Sequence, residues 1–223
     1  MSSSIGERIL KVQDSIPQSV KLIAVSKKVS LVAIREAYAA GIRDFGESRI
    51  QEAVSKINDL QDLSGITWHF IGHLQSNKAK KALSYFQWLH SVDNLKLAQR
   101  LDFLAQDLGV SPKICLQVKI LPDPDKSGWI VPQLLEDLVE LNLCKSLQIE
   151  GLMTIPPLGL DDSEIVNVFN RTRELAHQID DCNLSNIKIK QLSMGMSGDY
   201  QLAIQSGATM IRLGTILFGE RQL

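Results

Sequence analysis

Lys21-Leu-Ile-Ala-Val-Ser-Lys-Lys28 is the stretch on which the reading of the fold turns. Residues 22–25 are all apolar, without the alternation of a strand that has one wet face. They read as a strand covered on both sides, the kind found in parallel sheets packed between helices. Two lysines stand at its C-terminal end, and a helical pattern over 31–40 follows at once. In a barrel of alternating strands and helices, that strand end is where chemistry is placed. A lysine there has two readings. It is a solvated charge closing a strand, as most lysines are, or it is an amine in a partly dry pocket. In the second case its pKa falls and it can form a Schiff base with an aldehyde.

Working outward, the same alternation repeats. Strand-like runs fall at 21–26, 42–46, 67–71, 88–92, 113–120, 147–155, 187–193 and 210–213. An additional amphipathic helix over 5–12 precedes the first and ends before Pro17. Ser30 is placed to cap the next helix, and Gly41 to stop it. Helices over 48–60, 76–83 and 94–108 follow their strands, the last ended by Gly109. A helix with Pro132 in its first turn runs to about Asn142. Two more cover 161–180 and 199–206. Residues 122–128, Pro-Asp-Pro-Asp-Lys-Ser-Gly, form the one long turn-rich loop. Eight strands separated by helices predict an α/β protein, a (β/α)8 barrel. A doubly wound sheet would want GxGxxG after the first strand, and Ser26-Lys-Lys-Val-Ser30 contains no glycine. With no repeat and no linker, residues 1–223 are expected to form a single domain carrying an extra N-terminal helix.

Composition narrows the function. The chain has 223 residues, 44% hydrophobic, enough for one large core. Lysine plus arginine number 24 against 25 acids, a formal net charge of -1, which gives no electrostatic footprint for nucleic acid. Cys115, Cys144 and Cys182 are far apart and odd in number, so they suggest thiols in a reducing cytosol. The first residues lack the apolar core of a signal peptide, and no apolar run reaches the ~20 residues of a membrane span. A cytoplasmic location is the expectation.

The strongest chemical signal lies near the C-terminus. The seventh strand runs into Ser193-Met-Gly-Met-Ser-Gly198, and the eighth into Arg212-Leu-Gly-Thr215. Loops after these two strands of a barrel often make a phosphate site. Glycines let backbone N–H groups approach an anion. A helix starting after Ser197 would aim its free N–H groups at it. The hydroxyls of Ser193, Ser197 and Thr215 could add hydrogen bonds; equally, these residues could only turn the chain and cap a helix. Arg212 must be paired if it faces the core. Its partner could be a phosphate, a ring nitrogen, or Glu47 or Glu150. Glu47 could face a pocket or cap a helix. Met153 could pack on a planar ligand or fill core. His69 and His73 lack a third clustered ligand, so His69 reads as a hydrogen-bonded barrel residue and no metal is expected. A lysine on the first strand and an anion cup across the mouth together suit a phosphorylated aldehyde, and pyridoxal 5′-phosphate (PLP) fits.

The motifs Ala24-Val-Ser-Lys27, Phe45-Gly-Glu47 with Gln51-Glu52, His69-Phe-Ile-Gly-His-Leu-Gln-Ser-Asn-Lys78, Gly151-Leu-Met153, Leu192-Ser-Met-Gly-Met-Ser-Gly-Asp199 and Arg212-Leu-Gly-Thr215 closely resemble the pyridoxal phosphate homeostasis protein family. The resemblance covers about residues 21–218. It implies a barrel like the N-terminal domain of alanine racemase, PLP fold type III, with the cofactor as an internal aldimine. The matching Schiff-base lysine is Lys27. Alternation alone did not choose between Lys27 and Lys28, because both faces of the strand are apolar. By the same matching, Ser193, Met194, Gly195 and Ser197 fall on the phosphate loop, with Gly214 and Thr215 beside it. Arg212 falls where a cofactor-contacting arginine belongs, to ring or phosphate. Ser48 departs from the family's usual asparagine.

The resemblance implies a non-catalytic PLP-binding protein of vitamin B6 homeostasis and amino/keto acid balance. Apo-PLP enzymes would be its transient acceptors, and the chain would be a monomer. The alternative is an amino-acid racemase-like enzyme, which needs two positioned bases. Lys27 could be one. In alanine racemase the second comes from another domain across a dimer, and only about four residues follow Gly219 here. A pure interaction module with vestigial cofactor binding is the third possibility.

Overall fold

The computed structural model describes residues 3–219. The first two and last four residues of the expected 1–223 unit lie outside the described residues. Helix α1 (Ile5–Ser15) is closed at its start by a reciprocal bond pair between Ser4 and Glu7. Among the described residues nine strands follow in one sheet: β1 (Lys21–Val25), β2 (Asp44–Glu47), β3 (Thr67–Phe70), β4 (Trp88–Val92), β5 (Lys113–Lys119), β6 (Trp129–Ile130), β7 (Gln148–Met153), β8 (Ile187–Ser193) and β9 (Met210–Leu213). Their order is β4-β3-β2-β1-β9-β8-β7-β5-β6, and an added β4–β5 pairing closes the ring. Every pairing is parallel. The eight-stranded barrel is therefore present, with the two-residue β6 attached outside the ring to β5.

Helices α2 (Leu31–Ala39), α3 (Ile50–Asp59), α4 (Ala79–Tyr85), α5 (Leu95–Leu108), α6 (Val131–Leu141), α7 (Asp162–Asp181) and α8 (Tyr200–Gln205) connect the strands, and α9 (Thr215–Phe218) follows β9. Ser30 accepts from the Ala33 N–H, and Asn94 from the Leu97 N–H, as caps worth about 1 kcal/mol each. Among the described residues no helix is long and apolar enough to cross a membrane.

The apolar interior has two layers. The larger lies between sheet and helices and includes Ala24, Phe45, Phe70, Leu89 and Phe169. A smaller cluster, Ile23, Trp88, Cys115, Met153 and Met210, fills the barrel lumen. Alternation along β1 follows from this: Ala24 points to the helices and Ile23 into the lumen. Ile23 is in register with Arg212 of β9.

Three expectations differ from the structure. The second strand starts at Asp44, not residue 42, because the Ile42 N–H closes the end of α2 on Ala37 O at 3.1 Å. The strand at 129–130 was not expected. The helix expected over 199–206 is shorter by one residue at each end, Tyr200–Gln205. Residues 197–199 are a turn, where Asp199 Oδ1 accepts the Met196 N–H at 2.6 Å.

Candidate functional site

The turn that carries the two lysines places them differently. Val29 N–H donates to Ser26 O at 3.0 Å across Lys27 and Lys28. Lys28 occupies the left-handed region, φ 59°, and is exposed; Lys27 is half-buried. Lys27 lines a cavity of about 330 Å³ at the C-terminal mouth of the barrel. Val25, Ile71, Ile155 and Met196 give that cavity apolar walls.

A buried ion cluster holds the turn. Lys56 Nζ, from α3, donates to Ser26 O at 2.7 Å, Glu47 Oε1 at 3.0 Å and Glu52 Oε1 at 2.6 Å. Glu52 also accepts the Lys28 N–H, and Ser26 Oγ donates to Glu47 Oε1 at 2.7 Å. Burial pushes the Glu47 carboxyl up, against the pull of Lys56 and Ser26. Burial also raises Glu52, but its bonds to Lys56 and the Lys28 N–H outweigh that and leave it below the usual carboxylate range. Glu47 thus lies on the helix side of β2. It faces neither the pocket nor a helix N-terminus, the two placements its sequence position suggested.

Five of the eight expected cofactor residues line the cavity: Lys27, Ser197, Arg212, Gly214 and Thr215. Ser193 lies beneath it, joined to it through Arg212. Met194 is fully buried in the outer core. Gly195 lies behind the mouth at φ +96°, where its carbonyl accepts the Arg212 N–H at 3.0 Å. Ser48, the family departure, lines the cavity as well.

Arg212 is 4% exposed. Its Nη1 donates to Ser193 Oγ at 2.7 Å and its Nη2 to Thr154 O at 3.2 Å. Among the described residues no carboxylate forms an ion pair with it. Glu47 is taken by Lys56, and Glu150 lies 3.4 Å from Lys113 and 4.0 Å from Lys190. Burial lowers the guanidinium pKa to about 10, which still leaves it charged at neutral pH. Asp199 attracts it from a distance, but a buried cation with no carboxylate in contact, at the floor of a cavity, is costly unless an anion or an acceptor arrives. Five N–H donors are available on a guanidinium, and the two protein bonds leave others for a ligand.

Residues 2–222 match the family model described as the alanine racemase N-terminal domain. A pyridoxal phosphate homeostasis protein of Synechocystis sp. is 53% identical over 207 residues, 93% of this chain and 94% of that one. The chain belongs to the pyridoxal phosphate homeostasis protein family. A Pseudomonas aeruginosa member of the family is 43% identical, covering 98% of this chain and 96% of its own. Two structures of PipY from Synechococcus elongatus, one without PLP and one with PLP bound, superpose with TM-scores of 0.94 and 0.93. Their identities are 51% and 50%, and each match covers 97% of this chain and 100% of PipY. Alanine racemase of Clostridium difficile shares the fold alone, at 15% identity and a TM-score of 0.77, with 57% of its chain covered.

Within this family member, sequence reasoning missed two groups of residues. The first is Lys56, whose role depends on a contact 30 positions away in the chain. The second is Asp44 and His90, which with His69, read from the sequence as a hydrogen-bonded barrel residue and found as one, form a line of lumen side chains leading to Ser193. Alternation does put His90 on the same face as Trp88, and that was the signal available.

Proposed function

We propose that this protein binds PLP at the C-terminal mouth of its barrel and acts in vitamin B6 homeostasis without catalysing a reaction of its own. The observation that carries the reading is the single cavity lined by Lys27, Ser197, Arg212, Gly214 and Thr215. The donor set fits the group. Lys27 supplies an amine, whose condensation with the cofactor's aldehyde releases water and leaves an imine. Ser197, Gly198, Gly214 and Thr215 offer hydroxyls and close backbone approach for a phosphate. Arg212 supplies a buried positive charge, and Val25, Ile71, Ile155 and Met196 supply apolar walls for a planar ring. PLP bound to PipY, a relative at 50% identity, supports the same reading.

The bound group would supply an electrophilic aldehyde and an electron-accepting ring. The chain's own part is to hold it, with Lys27 positioned by the turn at residues 26–29. Residues 1–223 act as one PLP-binding unit, a monomer in the cytoplasm, which holds the cofactor and releases it to apo-PLP enzymes. Relatives named as homeostasis proteins favour this over a racemase-like enzyme. The test is chiral chromatography of single-enantiomer amino acids incubated with the loaded protein. Turnover near the enzyme median of about 10 per second would overturn the non-catalytic reading, and no turnover upholds it.

A further inference from the structure

The lumen holds a line of polar groups that cofactor binding by itself does not require. Asp44 Oδ1 lies 2.8 Å from His69 Nε2, and His69 Nδ1 lies 2.9 Å from His90 Nε2. His90 Nδ1 lies 2.8 Å from Ser193 Oγ, which lies 2.7 Å from Arg212 Nη1. His69, His90 and Ser193 are fully buried. The line therefore joins Asp44, beside a cleft of about 500 Å³ at the opposite mouth, to the arginine of the cofactor cavity.

The chemistry of the two ends fixes the order of protons between them. A guanidinium only donates, and an ionised carboxylate only accepts. Burial raises the Asp44 carboxyl, but His69 and Lys21, 3.0 Å away, outweigh it and keep Asp44 below its ordinary range. Ser193 Oγ accepts from Arg212 and gives its own proton to His90 Nδ1. His90 then carries its proton on Nε2 and donates to His69 Nδ1. His69 in turn carries its proton on Nε2 and donates to Asp44. Both imidazoles are neutral and every bond has one donor. The surroundings agree. Lys21 and Asp44 face one end, and Arg212 and the neutral Cys115 thiol face the other. Trp88 stacks on His69 at 6.0 Å. Burial, then His69 and the cations Arg212 and Lys21, hold His90 well below its ordinary pKa.

We propose that Asp44 is a positioning residue for Arg212, acting through the barrel. Its carboxylate sets the direction of the whole chain, and so fixes how Ser193 grips Arg212 and which guanidinium N–H groups are left to face the cavity. Without an obligate acceptor at position 44, the same heavy atoms can be ordered backwards, with both protons on Nδ1. Ser193 would then receive two donors, and its own hydroxyl proton would have to turn away from the chain. The consequence for cofactor binding rests on the proposed function; the order of protons does not.

Imidazole nitrogen-15 NMR of the protein freed of PLP tests the order directly. His69 and His90 are expected as neutral Nε2–H tautomers at neutral pH; an Nδ1–H or doubly protonated ring at either position overturns the proposal. Ser193→Ala cuts the chain at the arginine end and should leave both tautomers unchanged, whereas a switch would mean that the order is set from Arg212. Asp44→Leu should release both rings from the single Nε2–H form. It should also weaken PLP binding by about tenfold, near the value of one hydrogen bond, with Asp44→Glu restoring both. Unchanged PLP affinity in Asp44→Leu overturns the coupling. If the unmodified protein forms no imine with PLP, the cofactor reading fails instead, and the tautomer result still decides the order.

Discussion

The ammonium of Lys56 lies 2.7 Å from the carbonyl oxygen of Ser26, the residue immediately before Lys27. That bond ties α3 to the turn presenting the half-buried lysine, and the same ammonium neutralises the fully buried Glu47.

Lys56→Met removes the cation and leaves a buried carboxylate without compensation. Breaking a buried pair in this way costs about 3–5 kcal/mol. Urea unfolding should register that loss, and the added change Glu47→Gln should recover a large part of it. A loss below about 1 kcal/mol would mean that the cluster holds nothing in place.

Arg212→Met separates stability from binding. A buried cation with no carboxylate in contact costs stability, so a long apolar replacement should leave the unfolding midpoint level or higher. PLP affinity should fall by about 10- to 100-fold, the worth of hydrogen bonds to a charged group. A titration with PLP followed by visible absorbance measures this, and unchanged affinity would remove Arg212 from the site.

Gly195→Ala acts from behind the cavity. Its φ of +96° disfavours a side chain, and a Cβ there would lie 2.7 Å from the Ala203 Cβ and 3.0 Å from the Tyr200 Cα. Helix α8 would have to move and take residues 196–199 with it. Expected are about 1–3 kcal/mol of destabilisation and weaker PLP binding, read by thermal melting and titration. An unchanged melt would contradict the packing described.

The lumen histidines set a pH dependence. Burial is the largest cause lowering both His69 and His90 from the ordinary 6.5. Below that pH the unfolded chain takes up protons at these rings where the folded chain does not. Stability is thus full above about pH 6.5 and falls on acidification, by up to about 1.4 kcal/mol per pH unit for each ring. Glu47, pushed up by burial, acts oppositely above its ordinary 4.5 and offsets part of the fall. Asp44 and Glu52, held low, add further loss in more acid solution. Urea midpoints between about pH 7.5 and 5.5 should drop. A level or rising midpoint would mean that the rings are already charged in the folded protein.

The barrel was legible because short apolar runs and capped helices alternate with few exceptions. The strands Trp88–Val92 and Ile187–Ser193 fall where pattern placed them. Residues 129–130 carry no period to read. Ile42 reads as strand in the sequence because an apolar residue that closes a helix end looks the same as one that opens a strand. Periodicity left Lys27 and Lys28 undecided because both faces of the strand are apolar; the family motif pointed to Lys27, and the structure puts Lys27 on the cavity and Lys28 at an exposed left-handed position. Lys56 and the histidine chain were hidden for a different reason. Glu52 is four positions from Lys56, but the bonds that define these roles, Lys56 to Ser26, His69 to His90 and His90 to Ser193, span 21 to 103 positions, and no local period encodes such contacts.

The most direct measurement is borohydride reduction of the PLP-treated protein, followed by peptide mass mapping. The account predicts a stable pyridoxyl adduct on Lys27, absent in Lys27→Ala together with the imine absorbance. An adduct on Lys28, or imine absorbance that persists in Lys27→Ala, would contradict it.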